Sequence, residues 1–126
     1  MSLVLDSGAL IAVERADRDT VALLKQELIN KRVPITHGGI VGQVWRGGSG
    51  KQVPLARLLP ALEVVALDEA LGREAGVLLS KTKMEDVLDA ALVLLAADGD
   101  LLLTSDAAGI KALAHAAAIH LDIVPI

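Results

Sequence analysis

The sequence predicts an α/β fold in which helices cover both faces of a central parallel sheet of four to five strands, a three-layer α/β/α sandwich. Two observations support this prediction. Short apolar runs of strand character alternate along the chain with longer segments whose apolar residues recur at helical spacing. Strands that alternate with helices are joined by right-handed crossovers, which make the strands parallel and place helices on both faces of the sheet.

The chain of 126 residues is expected to form one domain, residues 1–126, without internal repeats. Five short apolar runs are the predicted strands: residues 2–5, 33–36, 62–67, 101–103 and 120–124. Seven segments are the predicted helices: residues 7–15, 17–32, 37–46, 51–59, 68–80, 84–97 and 108–118.

Capping and helix-breaking residues set the element boundaries in the first half of the chain. Asp6 directly follows the first strand, and Asp17 is a suitable N-cap for the second helix. Glycines and a serine at residues 47–50 break the third helix, and Pro60 ends the fourth. Trp45, the single tryptophan, is predicted to fill part of the core.

The sixth predicted helix, residues 84–97, is expected to be mostly buried. Asp86 and Asp89 lie three residues apart at its start, so both project from one face at the end where the helix dipole favours negative charge. Uninterrupted apolar residues follow at 90–97, and a turn at 98–100 closes the segment. The fifth helix, which precedes it, is predicted to be capped by Asp68.

Composition excludes several classes of protein. No apolar run approaches the roughly 18 residues of a membrane span, no signal peptide is recognised, and the absence of cysteine excludes disulfides and thiolate metal sites. The net charge is −4, and there is one tryptophan with no phenylalanine or tyrosine, which disfavours nucleic-acid binding by bulk charge or by rows of stacked aromatics. We therefore expect a cytoplasmic protein that does not bind a membrane.

Four aspartates are the candidate functional residues. Asp6 ends the first strand, Asp106 follows the fourth, and Asp86 and Asp89 open the sixth helix. If the first and fourth strands are neighbours, these carboxylates converge at the carboxyl edge of the sheet, where α/β proteins bind ligands. Converging carboxylates repel each other unless a cation lies between them, and Mg²⁺ or Mn²⁺ with oxygen ligands suits that position. Such an ion supports phosphodiester hydrolysis. Each aspartate taken alone is equally well explained as a helix cap or turn residue.

Four motifs, in order and covering nearly the whole chain, resemble the PIN domain, and specifically the VapC-type toxins of bacterial toxin–antitoxin (VapBC) systems. Each motif alone is weak, and the set of four is more specific. The motifs are residues 3–10 (LVLDSGAL), 44–48 (VWRGG), 86–92 (DVLDAAL) and 103–106 (LTSD).

The resemblance implies a Mg²⁺- or Mn²⁺-dependent endoribonuclease that forms a homodimer and is inhibited by a cognate VapB-type antitoxin. Its catalytic positions carry over to this chain as Asp6, Gln43, Asp89 and Asp106, with Asp86 as an additional metal ligand. Supporting hydroxyl groups carry over as Ser7, Thr104 and Ser105. Basic residues that flank the acidic positions and are candidates for RNA or phosphate contact are Arg46, Lys81 and Lys83.

Position 43 departs from the family pattern, in which a glutamate precedes Val-Trp-Arg. Gln43 keeps the shape and an acceptor oxygen but lacks the negative charge. The fold is therefore expected to persist, with weaker metal affinity or catalysis.

Two alternative functions belong to other classes. The first is a PIN-like module without effective catalysis that binds antitoxin or RNA, which the loss of charge at Gln43 favours. The second is a response-regulator receiver, which has a similar length and alternation of strands and helices. A receiver requires paired acids after the first strand and a lysine after the last; here Ser7 follows Asp6, and no lysine lies beyond Lys111.

Overall fold

All residues of the chain, 1–126, are described by the computed structural model. The five strands are Leu3–Leu5 (β1), Ile35–His37 (β2), Glu63–Val65 (β3), Leu101–Thr104 (β4) and Asp122–Pro125 (β5). The seven α-helices are Ser7–Glu14 (α1), Arg18–Ile29 (α2), Gly38–Val44 (α3), Val53–Leu58 (α4), Glu69–Ser80 (α5), Val87–Leu95 (α6) and Ala107–Ala116 (α7). Two short 3₁₀ turns flank α4, at Gly50–Gln52 and Leu59–Ala61.

The strands form one parallel sheet in the order β3-β2-β1-β4-β5. Strand β1 is central, and its residues Leu3, Val4 and Leu5 are in register with residues 101–103 of β4. The chain moves from β1 to β2 on one side and returns to β4 on the other, so the strand order reverses between β1 and β4. In open α/β sheets the carboxyl edge at such a reversal forms a crevice.

Helices pack in two groups, as the predicted sandwich requires. Helix α1 contacts α2, α3 and α4, whereas α5, α6 and α7 contact one another. A core of 22 buried residues joins the groups through the sheet and includes all of β1 and the segment Ala90–Val93 of α6. None of the helices combines the length and the hydropathy that a membrane crossing requires.

The predicted fold class is confirmed, and the receiver alternative is wrong. All five strands and all seven helices occur in the predicted order, and the sheet is parallel throughout. Receiver domains have the strand order 2-1-3-4-5. The order here is 3-2-1-4-5, because the chain leaves β1 toward β2 and β3 before it returns to β4.

Several predicted boundaries are wrong because side chains cap the helices. The sixth helix begins at Val87 and ends at Leu95, shorter than the predicted 84–97, and Asp86 is its N-cap instead of a residue of its first turn. The third helix begins after His37, which ends β2 and caps α3 with its imidazole. Trp45 is not part of the core: it is 36% exposed, and its ring lies against Gly48.

Candidate active site

Asp6 and the turn after β4 meet at the crevice between β1 and β4. The Asp6 backbone N–H donates to the Leu103 carbonyl (3.2 Å), which extends the pairing of β1 with β4 by one residue. The Asp6 side chain is only 2% exposed and accepts from the N–H groups of Ala9 (2.8 Å) and Ser105 (3.0 Å). Asp6 is therefore both the N-cap of α1 and the acceptor that holds the β4–α7 turn against β1.

Asp106 lies in that same turn and caps α7. Its Oδ1 accepts from the Gly109 N–H (3.1 Å), and its own N–H donates to the buried Thr104 hydroxyl (2.8 Å). The Oδ2 atom of this exposed residue accepts no hydrogen bond from the chain. Thr104 thus positions Asp106 through its backbone, and one carboxylate oxygen of Asp106 is free to bind a ligand.

Asp86 and Asp89 form the third part of the site. Asp86 Oδ1 accepts from the N–H groups of Leu88 (3.0 Å) and Asp89 (3.1 Å), which is ordinary N-capping. Asp89 occupies the first turn of α6, is 9% exposed, and receives no hydrogen bond from any N–H group of the chain. A buried carboxylate without such donors is poorly stabilised in its charged form.

The pKa of Asp89 reports the convergence of the four acids. Burial, which is the largest cause, together with the negative charges of Asp86, Asp6 and Asp106 and a hydrogen bond to Asp86, raises the pKa of Asp89 from 3.8 to about 7. Asp89 therefore lies within electrostatic reach of the other three predicted site residues. A cation placed among them would replace this repulsion with attraction.

His37 belongs to the site, although it is not among the functional residues predicted from the sequence. It is fully buried at the carboxyl end of β2, where its Nδ1 accepts from the N–H groups of Gly39 (3.1 Å) and Ile40 (3.3 Å). Its Nε2–H donates to the Leu88 carbonyl (2.9 Å), next to Asp89, and burial lowers the pKa of His37. This imidazole ties the first turn of α6 to the sheet. The sequence contained one indication of this role: His37, like Asp6, is a polar residue directly after a predicted strand.

Two glycines permit the close packing around the acids. A Cβ at Gly8 would collide with the Ser105 side chain, and a Cβ at Gly109 would collide with the Asp106 carboxylate and come within 2.9 Å of the Met84 methyl group. Both glycines lie in the first turn of a helix that begins at the crevice. Their role was not predicted from the sequence, because a glycine in the first turn of a helix does not indicate which side chains pack against it.

No three histidine, aspartate or glutamate side chains stand at metal-ligand spacing in the structure. The donor set nevertheless suits a hard cation: it consists of carboxylate oxygens, and the Oδ2 atoms of Asp86 and Asp106 and both oxygens of Asp89 have no N–H donor from the chain. These oxygens are the ones that could bind a cation without giving up a hydrogen bond to the backbone.

The same fold occurs in a chain of the crystal structure of VapBC2 from Rickettsia felis bound to a DNA fragment from their promoter. The superposition has a TM-score of 0.71, covers 98% of this chain and 99% of that chain, and aligns residues that are 12% identical. The fold is PIN-like. No protein-family model and no curated protein matches the sequence. At this identity the likeness establishes the fold alone.

Gln43, the fourth predicted catalytic position, lies on α3. It is exposed on α3 and makes no hydrogen bond to the aspartates. It instead lines an open groove along the second half of α1, beside Ile11, Arg15 and Arg46. The four carboxylates that converge are consequently those of Asp6, Asp86, Asp89 and Asp106.

The three predicted basic contacts have separate positions. Arg46 is exposed beyond α3 and donates to the Gly42 and Trp45 carbonyls (3.3 and 2.6 Å). Lys83 is exposed in the segment that leads into α6. Lys81 lies beside Leu94 and Ala116 at the carboxyl ends of α6 and α7, so the structure does not bring it to the acids at the other end of α6. The physical reason is that α5 ends far from the crevice, and residues 81–86 return the chain to it.

The supporting hydroxyl groups also differ from one another. Thr104 is buried and accepts from Asp106, whereas Ser105 contributes its backbone N–H to Asp6. Ser7 is half-buried at the start of α1, and its hydroxyl makes no hydrogen bond within the chain. The hydroxyl of the exposed Ser105 likewise makes no hydrogen bond within the chain, so Ser7 and Ser105 are the two whose hydroxyls are free to bind water or a ligand.

The packing at Gly8 yields a stability prediction. Gly8→Ala is expected to lower the free energy of unfolding by about 1–3 kcal/mol, because the new methyl group forces the Ser105 turn away from α1. Urea unfolding measures the change. The matched control is Gly76→Ala in α5, where a Cβ meets open space; it is expected to raise stability by roughly 0.5–1 kcal/mol. An unchanged midpoint for Gly8→Ala would contradict the close approach.

Proposed function

We propose that the protein is a Mg²⁺- or Mn²⁺-dependent endoribonuclease of the toxin type, which hydrolyses RNA phosphodiester bonds and is inhibited by an antitoxin. The observation that carries the proposal is the convergence of four carboxylates, from three distant parts of the chain, around the buried Asp89. This arrangement is costly for a protein that needs only helix caps, because an exposed cap stabilises a helix equally well.

Each acid has a definite role in the proposed site. Asp6 is held by two N–H donors, so its orientation is set before a cation binds. Asp86, Asp89 and Asp106 supply the remaining oxygen ligands, and Asp89 gives up its proton as positive charge enters the site. When bound, the cation supplies polarisation of a phosphoryl oxygen and a lowered pKa of attacking water. Ser7 is positioned to hydrogen-bond a water molecule or a phosphate oxygen at the mouth of the crevice.

The proposal includes an antitoxin partner, a homodimer and a cytoplasmic location. An apolar groove between α1, α2 and α4 supports a protein partner: its mainly apolar lining suits an apolar segment, and the cations of Lys25 and Arg57 also line it. The lining apolar residues are Val13, Ala16, Val21, Leu24, Leu28, Pro54 and Leu58. The neighbour with the same fold bears the name of a VapBC2 complex, which agrees with a partner protein for this chain.

A substitution at position 43 tests whether this residue contributes to the metal site. Gln43→Glu is expected to change kcat/KM for RNA cleavage by less than about threefold, because Gln43 is exposed and makes no hydrogen bond to the four aspartates. Initial cleavage rates with Mn²⁺ measure the change. A gain of about tenfold or more, equivalent to roughly 1.4 kcal/mol, would instead show that position 43 reaches the cation and that glutamine attenuates the enzyme.

A second candidate is a PIN-like module that binds antitoxin or RNA without cleaving it. The absence of charge at Gln43 and of any preformed three-residue metal cluster favour it. Calorimetric titration with Mn²⁺ separates the candidates. Binding that is lost in the Asp6→Asn variant supports the nuclease, whereas RNA binding without any Mn²⁺ binding supports the module.

A further inference from the structure

The groove that contains Gln43 is basic, although the chain as a whole is acidic. It is open, measures about 320 Å³, and is lined by the exposed cations Arg15, Arg46 and Lys51, with Glu14 as its one acid. The net charge of the chain is −4, so three cations gathered on one surface are a local departure from its average. Local positive charge of this kind attracts phosphate.

The buried side chain of Gln52 forms part of the lining of this groove. Gln52 is 4% exposed and uses its whole amide: Oε1 accepts from the N–H groups of Arg46 (2.8 Å) and Gly48 (3.1 Å). Its Nε2 donates to the Val44 carbonyl (2.9 Å) and to Glu14 Oε1 (2.6 Å). The acid of the groove is thus already paired with an amide donor, and the loop that presents the cations is held in one conformation.

Trp45 adds an aromatic surface to the same loop. Its ring lies against Gly48, which has a φ of 78° and no side chain to displace the ring. The ring is 36% exposed, directly before Arg46 in sequence. Trp45 is not among the residues that line the groove, but a partly exposed indole held against the backbone of the adjoining loop is suited to stacking against a nucleic-acid base.

The groove runs away from the acidic cluster along α1. Asp6 caps this helix, and Ile11 and Arg15 of the groove lie five and nine residues further, about 7 and 13 Å at the rise of an α-helix. A few nucleotides of a single strand can span this separation between the acids and the groove.

We infer that this groove binds single-stranded RNA beside the cleavage site, with Arg15, Arg46 and Lys51 contacting phosphates and Trp45 stacking on a base. The inference rests on the proposed function and specifies its substrate as single-stranded. An acidic peptide is the less suitable occupant. Its carboxylates would be attracted to the cations but would not stack on the indole ring of Trp45, as a nucleic-acid base does. Duplex RNA is also disfavoured, since its bases are not available for stacking.

Trp45 itself provides the assay. It is the only tryptophan, and the chain has no tyrosine, so the intrinsic fluorescence reports this one ring. Titration of the protein with a uridine oligonucleotide, in the presence of EDTA so that no cleavage occurs, is expected to quench the fluorescence. The affinity is expected to fall as salt rises, by about 0.7 in log K per unit of log salt concentration for each phosphate contact.

Variants test the individual contacts. Arg15→Gln and Lys51→Gln are each expected to reduce the salt slope by about 0.7, and their combination by about 1.4. Lys81→Gln, which removes an exposed lysine at the far end of α6, is the matched control and is expected to leave the slope unchanged. Trp45→Leu, measured with a labelled oligonucleotide, is expected to weaken binding about fivefold or more. Thermal unfolding of each variant confirms that it is folded.

The outcomes for the groove and for the nuclease are distinguishable. Equal salt slopes in Arg15→Gln, Lys51→Gln and Lys81→Gln would overturn the inference that the groove binds RNA, even if the wild-type protein cleaves RNA with Mn²⁺. Quenching by a polyglutamate peptide as strong as that by RNA would also overturn it, in favour of an acidic protein segment. Reduced slopes in the groove variants support it, even if no RNA is cleaved.

Discussion

Replacing Asp89 with asparagine is expected to lower the rate of Mn²⁺-dependent RNA cleavage by about 10²- to 10³-fold, the equivalent of several kcal/mol of lost metal-assisted catalysis. Asp89 is the carboxylate at the centre of the cluster, and no N–H group of the chain occupies its oxygens. Asparagine retains its shape but cannot supply the negative charge that the cation requires. Cleavage of a long single-stranded RNA, followed over time with excess Mn²⁺, measures the loss.

The matched control for this variant is Asp98→Asn. Asp98 lies before β4 at the opposite edge of the sheet, where it accepts a hydrogen bond from the backbone N–H of His120 (2.8 Å). Its replacement is expected to leave the cleavage rate unchanged. Equal rates in wild type and Asp89→Asn would remove Asp89 from the active site and with it the metal-dependent mechanism.

Metal ions are expected to stabilise the fold strongly above about pH 7 and weakly near pH 5. The pKa of Asp89 is about 7 in the folded protein, whereas the ordinary value for an aspartate side chain is 3.8. Between these values the folded state holds a proton that the unfolded state has released, so stability falls as pH rises through this window and is constant above it. A divalent cation offsets this loss, because it takes the place of the proton.

The measurement is the unfolding free energy in urea, with and without Mn²⁺, at about pH 5.5 and about pH 8. Asp89→Asn is expected to be more stable than wild type at the higher pH without metal, and to gain less from Mn²⁺. The titration of His37 acts in the opposite direction, because its lowered pKa makes stability fall as pH drops below 6.5. Since His37 is present in both proteins, the comparison between them isolates Asp89. A stabilisation by Mn²⁺ that is the same at both pH values would contradict the assignment.

The aspartates combine two roles that sequence reasoning treated as alternatives. Asp6, Asp86 and Asp106 are each an N-cap with a side-chain bond to a helix N–H, and each also contributes charge to the environment of Asp89. The helices α1, α6 and α7 begin at the same crevice, so capping their first turns brings the carboxylates together. A cap that leaves one oxygen free, as in Asp106, can bind a ligand without loss of the helix start.

The order and type of the elements could be predicted from local patterns. Apolar runs of strand length, helical periodicity and breakers such as Pro60 are properties of short segments, and each element formed where these properties agreed. The placement of Asp6 and Asp106 at strand ends could be predicted for the same reason. Boundaries such as those of α6 were less accurate, because capping by Asp86 depends on side-chain geometry at a single residue.

Other features depend on residues distant in sequence and could be seen only in three dimensions. His37 bonds to the Leu88 carbonyl 51 positions away, and Gln52 bonds to Glu14 across 38 positions, so no window of sequence contains either pair. The adjacency of β1 and β4, which spans nearly the whole chain, decides that Asp6 meets the Asp106 turn. The position of Lys81 beside the carboxyl end of α6, away from the acids, likewise depends on how α5 packs against α6. Local sequence patterns determined which segments form strands and helices and which aspartates stand at their ends. Long-range packing of the sheet determined which of those aspartates share one electrostatic environment.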